Sequence, residues 1–221
     1  CKYKLDMLKR YILLLCLCIG MFTMQAHTID YVLEQESNSF GFYIWEGVRH
    51  IIPLGLDHIL FILCIFFLST STKKVILQAS MFTLAHTITL GLVMFDIIDP
   101  PTKWVEALIA MSIVFLAAEN LFVDKVKPGR IILIFLFGLV HGMGFASALT
   151  SLNLPKVDFV KALVGFNIGV EMAQLSIILL LTIIIRLFKA HPIVYRKRVV
   201  IPMSIIIILI ASYWTVERIF F

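Results

Sequence analysis

Charged residues are scarce in this 221-residue chain, and their scarcity is the first guide to its class. Asp, Glu, Lys and Arg make up 15% of the sequence, whereas an average soluble domain has about 25%. Hydrophobic residues make up 61%, which is more apolar matter than so small a globule can bury. These fractions exclude a soluble enzyme and a disordered chain, and they predict a polytopic membrane protein. At about 20 residues per transmembrane helix, six or seven spans fit.

Cysteine and the common catalytic motifs are also scarce. The four cysteines, Cys1, Cys16, Cys18 and Cys64, form neither a disulfide framework nor a CxxC metal motif. The chain lacks the GxSxG turn of serine hydrolases, the HExxH helix of zinc peptidases and a glycine-rich phosphate loop. Any transport is therefore not driven by an ATPase within this chain. The net charge of +5 predicts no nucleic-acid partner, because the basic residues lie in short connections between apolar runs.

The amino-terminal residues have the pattern of a secretory signal. A basic head, Met7–Arg10, precedes a short apolar stretch at Tyr11–Met21. We predict a signal peptide over residues 1–26, with cleavage after Ala26, and an uncleaved signal anchor stays open as the alternative. The six residues before Met7 leave the native start of the chain open.

An outer-face segment and a helical membrane domain follow. We expect residues 27–53 to contain a short interfacial helix, since Tyr43 and Trp45 are residue types that settle at headgroup depth. Residues 54–221 are predicted to form a domain of six transmembrane helices, because loops with Pro, Gly or charge separate six apolar runs. The runs are 54–70, 75–95, 103–122, 131–151, 160–186 and 199–220.

The distribution of basic residues predicts the orientation. With the mature amino end outside, the loops facing the cytoplasm hold ten basic residues and the outer side holds five. Cytoplasmic loops carry an excess of Lys and Arg, so the count favours this orientation and agrees with a cleaved signal.

The polar residues inside the predicted spans carry the functional information. An ionisable group at membrane depth costs several kcal/mol unless it is paired, and it marks a functional site by default. Five such groups are predicted to share the outer half and centre of the membrane, and Glu119 continues the line inward: Asp57, His58, His86, His141 and Glu171. Asn167 and Gln174 lie on the same helical stripe as Glu171, as path residues or as contacts between helices.

Small residues accompany these groups and predict close helix packing. Gly138 and Gly142 lie one turn apart in the fourth run, and Gly165 and Gly169 do so in the fifth. Such pairs allow helices to approach closely in lipid.

The donor set indicates the class of ligand. Imidazole together with carboxylate suits borderline divalent ions such as Ni²⁺, Co²⁺, Zn²⁺ and Cu²⁺. Thiolates are missing apart from Cys64, which disfavours a soft Cu⁺ site, and Mg²⁺ or Ca²⁺ prefers an all-oxygen cage. We therefore expect a divalent transition metal ion as the substrate.

Four motifs resemble the HupE/UreJ family over about residues 40 to 186. They are His50-Ile-Ile-Pro-Leu-Gly-Leu-Asp57-His58, Phe82-Thr-Leu-Ala-His86, Phe137-Gly-Leu-Val-His141-Gly142 and Phe166-Asn-Ile-Gly-Val-Glu171-Met-Ala-Gln174. The resemblance implies a bacterial inner-membrane protein with a cleaved signal and six spans. It implies a nickel or cobalt permease that works without ATP hydrolysis and is linked to hydrogenase or urease systems.

The resemblance also implies roles for particular residues. His50, Asp57 and His58 correspond to the family signature in the first span, where the metal enters, and His141 and Gly142 correspond to a later element. Six residues separate His50 from Asp57, one more than the family signature usually has.

Two other functions stay open at this point. One is an intramembrane zinc hydrolase, in which His58, His86 and His141 hold Zn²⁺ while Asp57 or Glu171 acts as the base. The other is an accessory subunit of a membrane complex, with the polar groups as packing contacts. A homo-oligomer or a metalloenzyme maturation system as partner is also left open.

Overall fold

The computed structural model describes residues 39–69, 71–123, 126–150, 158–188 and 192–221. Every regular element in these segments is a helix, which confirms the all-α class. The predicted signal peptide, residues 1–26, lies outside the described residues. The helices are α1 (Phe40–Ile51), α2 (Leu56–Leu68), α3 (Thr72–Met94), α4 (Thr102–Phe122), α5 (Arg130–Thr150), α6 (Phe159–Phe188), α7 (Pro192–Tyr195) and α8 (Ile201–Phe220), and a π-helical turn, Arg196–Val200, joins the last two.

Several of the helices are long and apolar enough to cross a membrane. Four pass this test, namely α3, α4, Phe159–Arg186 and Ile193–Phe220. Helices α1 and α2 pass it only as a pair, bent by 69° at the break between them. The apolar stretch described in α5 is shorter, Arg130–Gly144. The protein is therefore a multi-pass membrane protein, with four or five candidate spans among the described residues, and the count of six stays a prediction.

Helix α2 lies at the centre of the helical bundle. It has 13 residues, and all the side chains from Phe61 to Leu68 are buried. A helix that is apolar on every side is covered either by lipid or by other helices, and here other helices cover it. It contacts α3, α4 and α6, while α1 packs on α6, α3 on α5 and α4 on α8. The first predicted span, 54–70, is thus a short enclosed helix.

Glycines allow two of these helix pairs to approach closely. Between α1 and α6, a Cβ atom on Gly47 would clash with the Phe166 carbonyl, and one on Gly169 with the Ile44 carbonyl. Between α3 and α5, a Cβ atom on Gly142 would clash with the His86 carbonyl. The predicted close approach at the glycine pairs is confirmed.

Helix α1 packs more deeply than an interfacial helix requires. Ser39 caps its amino end, where the Ser39 hydroxyl oxygen accepts from the Phe42 N–H at 3.1 Å. Tyr43 is buried, so its expected contact with the membrane interface is wrong, because its ring faces the bundle and not its surroundings. Trp45 is 44% exposed and remains available to lipid headgroups.

We expect Gly47→Ala to destabilise the protein. The added methyl group meets backbone atoms of α6, which cannot rotate away, so the two helices must separate. The thermal unfolding midpoint in detergent should fall by about 3–10 °C. Gly129→Ala is the matched control, because a Cβ atom there meets nothing within 4 Å. Equal midpoints for the two variants would contradict this account of the packing.

Candidate metal centre

The break between α1 and α2 brings two histidines together. His50 lies in the last turn of α1 and His58 in the first turn of α2. Pro53 lies within the break, after a cis peptide bond, and a Cβ atom on Gly55 would clash with the His50 carbonyl. Glycine at position 55 therefore permits the tight bend between the two helices. As a result, the two imidazole rings lie 4.5 Å apart between centroids.

Two further histidines complete the cluster. His86 on α3 joins the first two, and one ligand nitrogen from each of the three lies within 4.8 Å of the others. His141 on α5 lies beside them, with its ring centroid 5.3 Å from that of His58. We call His50, His58, His86 and His141 the histidine cluster. Nitrogens bound to one tetrahedral ion at about 2.1 Å lie about 3.4 Å apart, so side-chain displacements of about 1 Å bring the first three onto one ion.

A chain of hydrogen bonds orients His86. The Asn167 side-chain N–H donates to the Leu163 carbonyl at 2.8 Å, which turns the Asn167 Oδ1 towards His86. That oxygen lies 3.2 Å from His86 Nδ1 and can only accept, so Nδ1 carries the proton. The lone pair of His86 is then on Nε2, a buried atom without a hydrogen-bond partner among the described residues. This is the arrangement that metal-binding histidines use.

His141 is oriented in the same way by its own helix. Its Nδ1 lies 2.8 Å from the Phe137 carbonyl, which accepts, so the proton is on Nδ1 and the lone pair on Nε2. The Nε2 atoms of His58 and His141 are likewise buried, with no hydrogen-bond partner in the described segments. Buried polar atoms are nearly always paired in proteins, so several unpaired imidazole nitrogens facing one place indicate a ligand.

Phenylalanine rings enclose the histidine cluster. Phe82 and Phe61 lie 4.8 and 5.1 Å from the His141 ring, and Phe166 lies 5.3 Å from the His50 ring. Such a wall excludes water and lowers the local dielectric constant, which strengthens each interaction between an ion and its ligands.

Asp57 pairs with an arginine and is not among the grouped metal ligands. It is adjacent to His58, but successive helical residues lie about 100° apart around the axis. Its Oδ2 accepts from Arg218 Nη2 at 2.9 Å, and Arg218 Nε lies 3.8 Å from Glu106 Oε2. The group of potential metal ligands within 4.8 Å of one another contains no carboxylate. A hydrolase mechanism with Asp57 as the base therefore has no support in this geometry.

Two residues of the polar stripe on α6, Glu171 and Gln174, contact α3 at positions that precede His86 in the helix. Glu171 Oε1 accepts from the Ser80 hydroxyl at 2.5 Å, and Gln174 Nε2 donates to Thr83 Oγ1 at 3.1 Å. Ser80 precedes His86 by six residues, which is about 9 Å along the helix. Glu171 therefore lies outside the histidine cluster, whereas Asn167 contacts the cluster by its hydrogen bond with His86.

Glu119 lies near the opposite end of α4 from Glu106. Its Oε2 is 2.9 Å from Arg130 Nε, and Arg130 is buried. Arg130 Nη2 also donates to the Cys64 carbonyl at 3.3 Å. This ion pair lies at the carboxyl end of α2, and the Asp57 pair lies at its amino end.

Two arginines were missed as site residues by reasoning from the sequence. In the sequence analysis, Arg130 and Arg218 enter only through the counts of basic residues on the two sides of the membrane. Asp57 is the signal that points to Arg218, because a carboxylate in a span requires a counter-charge at the same depth. In the predicted topology, Arg218 lies on the same side of the membrane. An ion pair between two spans that are far apart in the sequence cannot be predicted from the spacing of residues along the chain.

We expect Asn167→Leu to weaken metal binding without removing a ligand. Loss of the acceptor frees the His86 ring, and the loss of such a supporting hydrogen bond typically costs about 10–100-fold in affinity. Co²⁺ titration of the purified protein, followed by visible absorption, measures the change. Asn167→Asp keeps the acceptor oxygen and should restore binding.

Gln174→Leu is the matched control for this experiment. Its amide contacts Thr83 and not a histidine, so Co²⁺ affinity should stay near that of the unmodified protein. Equal losses in Asn167→Leu and Gln174→Leu would contradict a specific role of Asn167 in orienting His86.

Comparison with known proteins agrees with the resemblance seen in the motifs. A family model described as HupE / UreJ protein matches residues 14–218. No curated protein and no solved structure is similar enough to count as a match. The matched range includes every residue of the histidine cluster and both flanking ion pairs. Because it covers well over half of the chain, the protein belongs to the HupE/UreJ family.

Proposed function

We propose that the protein is a permease that carries a divalent transition metal ion, Ni²⁺ or Co²⁺, across the bacterial inner membrane. The observation that supports this most is the histidine cluster within apolar helices. Imidazole nitrogens are good ligands for Ni²⁺, Co²⁺ and Zn²⁺, so Zn²⁺ is a further possible substrate. Membership of the HupE/UreJ family supports metal handling at a membrane.

The charge of the cluster favours passage over permanent retention. Its ligands are neutral imidazoles, and the nearest carboxylates pair with arginines or lie further along the helices. A divalent ion there keeps its full charge in a low-dielectric surrounding, which limits the binding free energy. A structural zinc site has thiolates or a closed set of four ligands and holds its ion tightly. Weaker binding at several positions lets an ion both enter and leave.

The polar groups give an order of events along the path. With the amino end outside, Asp57 and Arg218 lie towards the outer side, and the metal reaches His50 and His58 at the break. His86 and His141 accept it next. Non-helical backbone at membrane depth is tolerated where it lines such a cavity, which fits the break between α1 and α2.

The ion then moves along α3 and α6 towards the inner side. Gln174 and Glu171 supply oxygens beyond the cluster, and the ion pair of Glu119 with Arg130 lies at the inner end of α2. The inside-negative membrane potential contributes about 2.3 kcal/mol per charge per 100 mV, so uptake needs no ATPase.

Metal uptake into proteoliposomes tests the proposal. With an inside-negative potassium diffusion potential, the purified protein should raise the initial rate of ⁶³Ni²⁺ or Co²⁺ uptake above that of empty vesicles. His58→Ala removes a nitrogen from the centre of the cluster and should lower the rate by about tenfold or more. Cold competitor ions added outside then rank Ni²⁺, Co²⁺ and Zn²⁺.

A matched histidine variant controls for general damage. His191, between α6 and α7 in the sequence, is outside the cluster, so His191→Ala should transport at the unmodified rate. Uptake that is equal in His58→Ala, in His191→Ala and in the unmodified protein would overturn the proposal.

A further inference from the structure

A second group of polar atoms lies between α3 and α6, apart from the histidine cluster. Ser80 and Thr83 are one turn apart on α3, and Glu171 and Gln174 are one turn apart on α6. Hydrogen bonds between the two helices pair Ser80 with Glu171 and Thr83 with Gln174. Residues three apart on a helix face the same neighbour, so the four side chains form one layer.

Two oxygens in this layer have no hydrogen-bond partner among the described residues. One is Glu171 Oε2, and the other is Gln174 Oε1; both atoms are buried, and Gln174 is only 1% exposed. Unsatisfied buried acceptors are costly and require an explanation. A group that pairs with these two oxygens must be a cation or a hydrogen-bond donor.

The orientation of the Gln174 amide follows from its neighbours. The Thr83 hydroxyl donates its one proton to the Ala79 carbonyl at 3.2 Å, so its oxygen can only accept from Gln174. Gln174 must therefore present Nε2 to Thr83, which turns its Oε1 away from that contact. The unpaired oxygen is consequently a feature of the network and not of an arbitrary amide flip.

Glu171 accepts a hydrogen bond from the Ser80 hydroxyl. The Ser80 hydroxyl is 2.5 Å from Glu171 Oε1, within the range of hydrogen bonds to a charged carboxylate. In the described part of the chain, no Lys or Arg pairs with Glu171, in contrast to Asp57 and Glu119. Glu171 is half-buried, and its buried Oε2 atom lacks a partner that compensates its charge.

We propose that Glu171, Gln174, Ser80 and Thr83 form a second cation site that binds a monovalent alkali ion. The donors are carboxylate, amide and hydroxyl oxygens, which suit a hard cation, whereas the nitrogens of the histidine cluster suit a transition metal. The site has one negative charge, so a monovalent cation is neutralised and retained there, whereas a divalent ion on the proposed path is only half neutralised and moves on.

This site goes beyond the proposed passage of a transition metal and does not require it. Its two residues on α3, Ser80 and Thr83, precede His86 by six and three residues, which is about 9 and 5 Å along the helix. An alkali ion bound there would affect the same pair of helices that carries His86 and Asn167. The test therefore measures alkali binding alone, in protein freed of transition metal by a chelator.

Thermal unfolding of the purified full chain in detergent tests the site. NaCl or KCl replaces choline chloride at constant ionic strength and constant pH. One of the two alkali ions should raise the unfolding midpoint by about 2–6 °C at concentrations near ten times its dissociation constant. The shift should be lost in Glu171→Gln and reduced in Ser80→Ala. Direct binding of ²²Na⁺ to the same samples should follow the shift if Na⁺ is the preferred ion.

His58→Ala separates this inference from the proposed function. It removes a ligand of the histidine cluster but none of the oxygen site, so its alkali-dependent shift should remain. Gln174→Glu adds a second carboxylate and should change the preference towards Mg²⁺ or Mn²⁺, which gives a positive result even if Glu171→Gln fails to fold. Absence of any alkali-specific shift in the unmodified protein would overturn the proposal. A midpoint that rises on acidification alone would also overturn it, because the bound cation would then be a proton.

Discussion

The close approach of α1 to α6 is the constraint on which the rest of the site depends. Gly47 and Gly169 let the two backbones touch, and this contact holds α1 inside the bundle beside the enclosed helix α2. The bend of 69° at the break that contains Gly55 then brings the His50 and His58 rings together. Without the helix contact, α1 would be an amphipathic helix free to lie on the membrane, and the cluster would lose its first histidine. The backbone packing of α1 on α6 thus determines whether His50 is part of the histidine cluster.

Charge is distributed along α2 in a regular way. Neutral imidazoles surround its first turns, and an ion pair lies near each end, Asp57 with Arg218 and Glu119 with Arg130. A buried charge without a partner is costly, so each carboxylate near the helix ends has its own arginine. The pairs leave the centre without fixed charge, which suits an ion that must pass through. Glu171 is the exception, since its partner in the described residues is a serine hydroxyl.

Much of this structure could be predicted from the sequence, because those features depend on amino-acid composition and on helical spacing. Low charge content and apolar runs predicted an all-helical membrane protein, and the glycine pairs predicted close packing. The spacing of Asn167, Glu171 and Gln174 predicted a single polar stripe. Reasoning along one chain could not show that Asp57 turns to Arg218 while its neighbour His58 turns inward. Nor could it show that the expected interfacial segment belongs to a broken helix pair. Both outcomes depend on contacts between residues far apart in sequence.

X-ray absorption spectroscopy of the Ni²⁺-loaded or Co²⁺-loaded protein tests the central claim most directly. A metal held by the histidine cluster should show at least three imidazole nitrogens at about 2.0–2.1 Å, with the multiple scattering typical of histidine rings and no sulfur. In His58→Ala, the number of imidazole ligands should fall by one. A spectrum dominated by oxygen ligands and unchanged in His58→Ala would contradict the account.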